Sequence, residues 1–430
     1  MTEDLPDKPT QVVQDRVPAW AEYLLLAALP YLLYGHTLFY GLLGIDDTLY
    51  YFGNPALSEG RLEGLGRIFT TYYYSDYFPV TQFTLWLDVA LFGTQSWFFA
   101  RVHELAWFAA GVLAVRKLAG ELVESRGLAF SVALLFALHP AGTSTAVWLA
   151  ERKNVVGFAL SFAALACYVS GRRKEGRESQ ARLAGAWVLL ALALLAKTHA
   201  VAVPAMMFVY ELTRGHGAWT RRLLVWFPFA LLGATLVALS LTVFRNDLQQ
   251  PPLGGSRAAA LFAAGPILAR YLAHTVAPFN LAFYYAVDEP GFESGYAWAL
   301  WLAALGGPAL LTLLSRPRGA VACGWLLGFA ALLPALNLVP QPVPMSDHYH
   351  WWALPGWLLA LAAALESAYT RGRRSGLGAG CPRGLRWRSR ASRCWPFSRA
   401  CCTASPRSCS SRRPSASRNR PGRTRPTRAG

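Results

Sequence analysis

Four short stretches of this chain carry residue types able to do chemistry, and each stands at the edge of an apolar run. Asp46 and Asp47 are adjacent carboxylates; a neighbouring charge and partial burial raise a carboxyl toward the range of a general base. The same pair also suits a helix start, where an Asp side chain accepts from exposed backbone amides. The second stretch runs from Leu138-His139-Pro140 through Trp148 to Glu151-Arg152-Lys153-Asn154. Proline breaks a helix and frees a carbonyl, which a bilayer tolerates where the backbone lines a polar cavity. His139 reads as a site residue or as a packed histidine, and Trp148 as an interfacial aromatic. Glu151 reads as part of a charged site or as a surface partner of Arg152 or Lys153, a pairing worth little. The third stretch is Lys197-Thr198-His199, and the fourth is Met345-Ser346-Asp347-His348-Tyr349-His350. Arg152, Lys153 and Lys197, with Arg270 a weaker fourth, are the cations suited to hold an anion such as a phosphate. No metal site is predicted: Cys167 and Cys323 lie in apolar runs, and Cys381, Cys394, Cys401, Cys402 and Cys409 match no zinc spacing.

The elements that must position these groups are membrane spans. Of 430 residues, 54% are hydrophobic and 15% charged, and several apolar runs approach the roughly 20 residues that cross a ~30 Å hydrocarbon core. They are Glu22 to Leu42, Trp97 to Val115, Gly127 to Leu149, Asn154 to Gly171, Leu223 to Phe244, Tyr296 to Leu314, Ala320 to Leu338 and Trp351 to Ala368. Leu183 to Leu212 is interrupted by Lys197-Thr198-His199 and Pro204 and reads as two short passes or a re-entrant pair. Pro79 to Gly93 and Ala258 to Val276 are assigned to the outer interface as amphipathic helices, which gives ten crossings. The predicted fold class is therefore all-α, a polytopic helical bundle of about 10 to 12 transmembrane helices with extracytoplasmic interfacial helices.

Charge orients the bundle. Arg116, Lys117 and Arg126, then Arg172 to Arg182, then Arg214 to Arg222, and Arg316 with Arg318 mark connections expected in the cytoplasm. Residues 44 to 78 carry Asp46, Asp47, Glu59, Glu63 and Asp76 and read as an outer loop. By parity the segment from Glu151 to Asn154 and Lys197 fall on that same outer side, where cations break the topological preference and invite an anionic partner. Residues 1–21 are polar and acidic, unlike a cleavable signal peptide, so the first span is expected to stay as an anchor after a short cytoplasmic segment.

The formal charge of +17 belongs to the tail. Arg371 to Gly430 contains 17 of the 41 Lys and Arg and no Asp or Glu, which leaves residues 1–370 with 24 basic and 24 acidic groups. A nucleic-acid-binding body is thereby disfavoured. Residues 371–430 are rich in Arg, Ser and Pro and too poor in apolar residues to form a core, so they are expected to be disordered. Their abundant residues are ones that GC-rich codons encode, which suggests a shifted reading frame that resequencing with an intact frame would exclude; a polybasic arm on anionic lipid is the alternative.

Over about residues 20 to 370 the motifs resemble a known family. After Asp46-Asp47 come Tyr77-Phe78-Pro79-Val80-Thr81, Trp86-Leu87-Asp88 and Leu91-Phe92-Gly93. Ala137-Leu138-His139-Pro140, Trp148, Glu151-Arg152-Lys153-Asn154, Ala196-Lys197, Arg270-Tyr271-Leu272, Asn337-Leu338-Val339-Pro340, Asp347 and Tyr349 follow. The pattern is similar to the membrane portion of bacterial relatives of the tetratricopeptide-containing O-mannosyltransferases, in the glycosyltransferase C superfamily. The chain departs from it at Gly142 and Ser144, at Phe99-Ala100-Arg101 and His103, and at His348, and no tetratricopeptide pattern follows Arg371. The resemblance implies a glycosyltransferase of the bacterial inner membrane, its active site facing outward, that moves a sugar from a polyprenyl-phosphate donor to a protein hydroxyl or glycan (O-mannosylation, a form of protein glycosylation). It implies Asp46 and Asp47 as catalytic residues, and His139, Glu151, Arg152, Lys153, Asn154, Lys197, Arg270, Asp347, His348 and Tyr349 as binding groups for lipid phosphate or sugar. No cofactor is implied beyond the lipid-linked co-substrate. Two other classes stay open: a lipid-linked-sugar flippase or transporter, and a catalytically impaired membrane scaffold.

Overall fold

The computed structural model describes residues 18–44, 46–51, 53–57, 62–73, 77–93, 97–243, 252–286, 297–316, 318–337, 341 and 343–374. All of them belong to the first of two units of the chain, Met1–Cys381; the remainder of the expected tail lies outside the described residues.

Regular structure among the described residues is helical. Helix α1 (Ala19–Tyr34) leads through a 3-10 turn, Gly35–Phe39, into the loop that carries Asp46 and into α2 (Asp47–Tyr51). Helices α3 (Leu62–Thr70) and α4 (Pro79–Phe92) are short; Pro79 opens α4 at a position where its missing N–H costs nothing. Then come α5 (Trp97–Leu122), α6 (Arg126–Leu138), α7 (Thr143–Val147), α8 (Arg152–Arg172) and α9 (Gly176–Ala196). After these follow α10 (Ala202–Thr213), α11 (Trp219–Val243), α12 (Arg257–Val276), α13 (Ala297–Leu314), α14 (Arg318–Leu332) and α15 (Asp347–Arg374).

Seven of the described helices are long and apolar enough to cross a membrane: α5, α8 with the turn before it, α9, α11, α12, α13 and α14 with the turn after it. Helices α6 and α7, bent by 53° at His139-Pro140, make an eighth if taken as one span. The expected ten crossings also included the region of α1, α10 and α15. Helix α1 has 16 residues and α10 has 12, which is why neither reaches the bilayer's length alone. Helix α12 is a correction: expected at the interface, it has the length and composition of a span. Its charge is no obstacle, because Arg270 and His274 lie in the last two turns and Arg270 rests over the Tyr285 ring.

Aromatic packing ties the central helices together. Phe136 of α6 stacks on Phe158 of α8 at 5.2 Å, and Phe158 meets Trp351 of α15 at 4.1 Å. Helices α14 and α15 pack through glycines: a Cβ on Gly324 would stand 2.6 Å from the Gly356 carbonyl, so only a residue without a side chain permits this approach.

The two ends of the bundle differ in charge. At one end Arg173 reaches Glu121, Arg172 pairs with Glu211, and Arg214 donates to the Leu122 carbonyl, so the connections after α5, α8 and α10 meet there. Arg116 and Arg126 both pair with Glu22. The far end of α8 starts at Arg152; its 21 residues span about 31 Å, one hydrocarbon thickness. Four of the sequence motifs gather at that far end.

Candidate functional site

The loop after α1 is held from both sides. Buried Arg101 of α5 donates to the carbonyls of Tyr40, Gly41 and Val147. Asp47, fully buried, accepts from the amides of Leu43 at 2.8 Å and Ala150 at 2.7 Å. Burial pushes the Asp47 carboxyl up, opposed by those two amides and by Arg101. Both Asp47 oxygens are thus engaged by the backbone, and the residue fixes the loop against the turn ahead of α8. Asp46 is only half-buried, beside Asp47 and Tyr284.

The turn Leu149–Glu151 and the start of α8 supply the next groups. Glu151 is 3% exposed, and its Oε2 is buried without a hydrogen-bond partner. It lies in electrostatic reach of His348, Lys197 and Lys153. Lys153 donates to the Tyr50 hydroxyl at 3.1 Å and sits 4.7 Å over that ring. Lys197 ends α9 in extended backbone and approaches α8 at Gly157, where a Cβ would be 2.9 Å from its own Cβ. Thr81 of α4 donates to the Ala196 carbonyl at 2.8 Å, which caps the break. His199 donates to the Ala331 carbonyl and stacks beside Trp352 at 4.6 Å and Tyr349 at 5.9 Å. Asn154 accepts from Trp352 Nε1 at 3.1 Å.

The first turn of α15 precedes the apolar run at Trp351 and closes this site. His348 Nδ1 bonds Ser346 Oγ at 2.7 Å, and Ser346 Oγ donates to the Phe283 carbonyl, so the Nδ1 position carries the proton. Burial lowers His348 to about 4, against the pull of Glu151, so the ring is neutral at ordinary pH. Aromatic side chains wall the same region: Trp148 meets Phe283 and Tyr284 edge-on, and Tyr50 packs on Phe78. Burial raises the Tyr284 hydroxyl to about 12.

Asp46, Glu151, Lys153, Lys197, His348 and Tyr349 therefore come together, linked by shared electrostatics through Tyr284 and Glu151. His139, Arg270 and Asp347 form an adjoining group. Asp347 accepts from the Tyr285 hydroxyl at 2.6 Å, and burial raises its carboxyl to about 6, opposed by that bond and by Arg270. His139 accepts from Ala141 N through Nδ1 and bonds the His274 carbonyl through Nε2, 5.6 Å from His350. It fastens the α6 break to the end of α12.

Arg152 is elsewhere. Its guanidinium is buried against Asp88 at 3.0 Å, Glu104, and the Ala100 carbonyl at 2.6 Å. His103 joins through Asp88 at 2.7 Å, with Trp107 donating to its other nitrogen. The expected phosphate contact of Arg152 is replaced in this structure by two carboxylates from α4 and α5. Sequence reading did not assign Asp88, Arg101, Glu104, His274, Tyr50, Tyr284 or Tyr285 to the site. Charges inside apolar runs were the available signal for Arg101 and Glu104, whereas the tyrosines carried none. The Gly142 departure has a steric reason: a Cβ there would stand 3.1 Å from Phe108 Cζ and Trp351 Nε1.

Fold and helix composition define an all-α, multi-pass integral membrane protein. No protein-family model matches the chain, and no curated protein matches its sequence. Among solved structures, ArnT from Cupriavidus metallidurans bound to undecaprenyl phosphate is 16% identical with a TM-score of 0.47, covering 84% of this chain and 64% of that one. The archaeal oligosaccharyltransferase AglB from Archaeoglobus fulgidus, in complex with an inhibitory peptide and a dolichol-phosphate, is 12% identical with a TM-score of 0.47. That match covers 86% of this chain and 52% of AglB. This chain thus spans less than two thirds of the length of either.

Proposed function

We propose that this protein is a membrane glycosyltransferase that transfers a sugar from a polyprenyl-phosphate donor to an acceptor hydroxyl on the side away from the basic connections. The observation that carries the reading is the convergence of a half-buried carboxylate, Asp46, with Lys153, Lys197 and Glu151 at one end of the bundle. In the reaction the acceptor oxygen attacks the anomeric carbon while its proton passes to Asp46. The bond from that carbon to the phosphate oxygen breaks, and its electron pair stays on the phosphate held by the lysines. Asp47 and Arg101 act through the loop by holding Asp46 in place. Arg270, Asp347 and His139 line the adjoining group, where the sugar or lipid extends. The lipid-linked sugar is a co-substrate, and no metal or other cofactor enters this reading. Transfer of mannose to protein hydroxyls is the specific form that the sequence resemblance implies, with the site facing outward from a bacterial inner membrane.

The test is transfer from a polyprenyl-phosphate mannose to peptide or glycan acceptors by purified protein. Asp46→Asn is expected to lower turnover by about a hundredfold, within the usual range for a general base, with donor affinity changed less than about threefold. Undiminished transfer by Asp46→Asn excludes it as the base, and no transfer or binding with any lipid-phosphate sugar rejects the reading.

A further inference from the structure

A carboxylate is an odd companion for a phosphate. Glu151 is almost wholly buried, one of its oxygens has no hydrogen-bond partner, and it lies in electrostatic reach of the two lysines. The groups facing it are Lys153 on α8, Lys197 after α9, His348 and Tyr349 on α15, Tyr284 on the segment after α12, and Glu104 on α5. His348 is neutral at ordinary pH, and Asp46 lies beside Tyr284. Glu104 is paired with Arg152, so the site is left with two positive charges from the lysines and two negative ones from Glu151 and Asp46. Its balance differs from that of a purely cationic phosphate clamp.

This balance matters because the lipid changes charge in the proposed reaction. The donor is a phosphodiester with a single negative charge at any working pH. After transfer the carrier is a phosphomonoester, whose second ionisation near pH 6 makes it largely dianionic at pH 7. Resting on the proposed function, we infer that Glu151 discriminates between the two lipids: it offsets the lysines so that the singly charged donor is held while the doubly charged product is released. The extra charge of the product meets no surplus of cations, and moving a dianion out of water costs more than moving a monoanion. Two lysines alone would hold the product more tightly than the donor and stall the cycle on release. Glu151 touches the chemistry only through the field it imposes on the phosphate, which makes it a specificity-determining residue.

The experiment uses the whole protein in lipid nanodiscs with two short-chain prenyl probes, a prenyl monophosphate and its methyl diester, at pH 5.5 and pH 8. The wild type is expected to bind the monophosphate no more than about threefold more tightly than the diester at either pH. Glu151→Gln should tighten the monophosphate about tenfold or more at pH 8 and the diester much less, consistent with the strength of one charge in a partly buried site. Its steady-state turnover should fall through inhibition by the prenyl monophosphate, with the inhibition constant tightened about tenfold at pH 8, a change that loss of structure does not produce. If Glu151→Gln does not fold, the wild-type comparison decides, since tenfold tightening on the dianion overturns the inference. Equal affinities of Glu151→Gln for the two probes overturn it as well. Binding of neither probe by the wild type rejects the donor reading itself, whereas wild-type binding of both probes with the monophosphate held about tenfold more tightly at pH 8 rejects only the role of Glu151.

Discussion

Adjacent side chains in this protein divide their labour. Asp46 and Asp47 follow one another, yet Asp47 gives both oxygens to backbone amides while Asp46 stands half-exposed beside the aromatic wall. Arg152 and Lys153 part similarly, the first into a buried network and the second toward Tyr50. Sequence alone offered both a cap and a base for the Asp pair; in the structure Asp47 holds backbone amides of its own loop and of the turn before α8, and the base is the role proposed for Asp46. Asp347 is the residue whose environment is most readily tested. Its folded carboxyl, raised to about 6 by burial, binds a proton more tightly than an unfolded Asp near 3.9. Between about pH 4 and about pH 6 the folded state therefore holds more protons, and stability falls as pH rises through that window and is level above it. At about 1.4 kcal/mol per unit over about two units the change is about 3 kcal/mol. Thermal melting of the wild type should show its midpoint rising as pH drops from 7 to 5, and Asp347→Asn should lose most of that rise. A rise of the same size in Asp347→Asn would place the titrating group elsewhere.

At the scale of elements, the buried Arg152 network decides how α4, α5 and α8 meet. The carboxylates that neutralise Arg152 lie 64 and 48 residues away in sequence, on helices whose facing is set by tertiary packing. That distance is why the charge itself was visible in the sequence as an anomaly while its partners were not. A surface ion pair would contribute little, but removing one member of a buried set leaves uncompensated charge and costs about 3 to 5 kcal/mol. Arg152→Met should accordingly lower the melting midpoint steeply. Combining it with Asp88→Asn and Glu104→Gln should restore most of the loss, because no unpaired charge is then left inside. A triple variant as unstable as the single one would mean that Arg152 acts on something other than these carboxylates. The breaks at His139-Pro140 and at Lys197 were legible for a local reason: proline and a run of polar residues interrupt apolar helix wherever they occur.

Over the whole molecule, what the sequence made legible is what a bilayer demands of any chain, namely apolar helices of sufficient length separated by charged connections. Helices α5, α8, α9, α11, α13 and α14 follow from that demand. Helix α12, expected at the interface, carries Arg270 and His274 near its end and leaves the rest of its length apolar enough to span. The grouping of the site was less legible, since it depends on contacts such as Asp47 with Ala150, 103 residues apart. The two ends of the bundle supply the last test. Basic connections meet at one end through Arg173, Arg172 and Arg214, and Asp46, Glu151 and Lys197 gather at the other, about 31 Å along α8. The positive-inside rule puts the basic end in the cytoplasm. Single cysteines at exposed Thr71, in the segment that follows Asp46, and at exposed Arg177, in the first turn of α9 at the basic end, should then react differently in a cysteine-free background. In spheroplasts a membrane-impermeant maleimide should label Thr71→Cys at once and Arg177→Cys only after the membrane is opened. The reverse order would turn the bundle over and put the pocket in the cytoplasm, where a donor presented on the outer leaflet could not reach it.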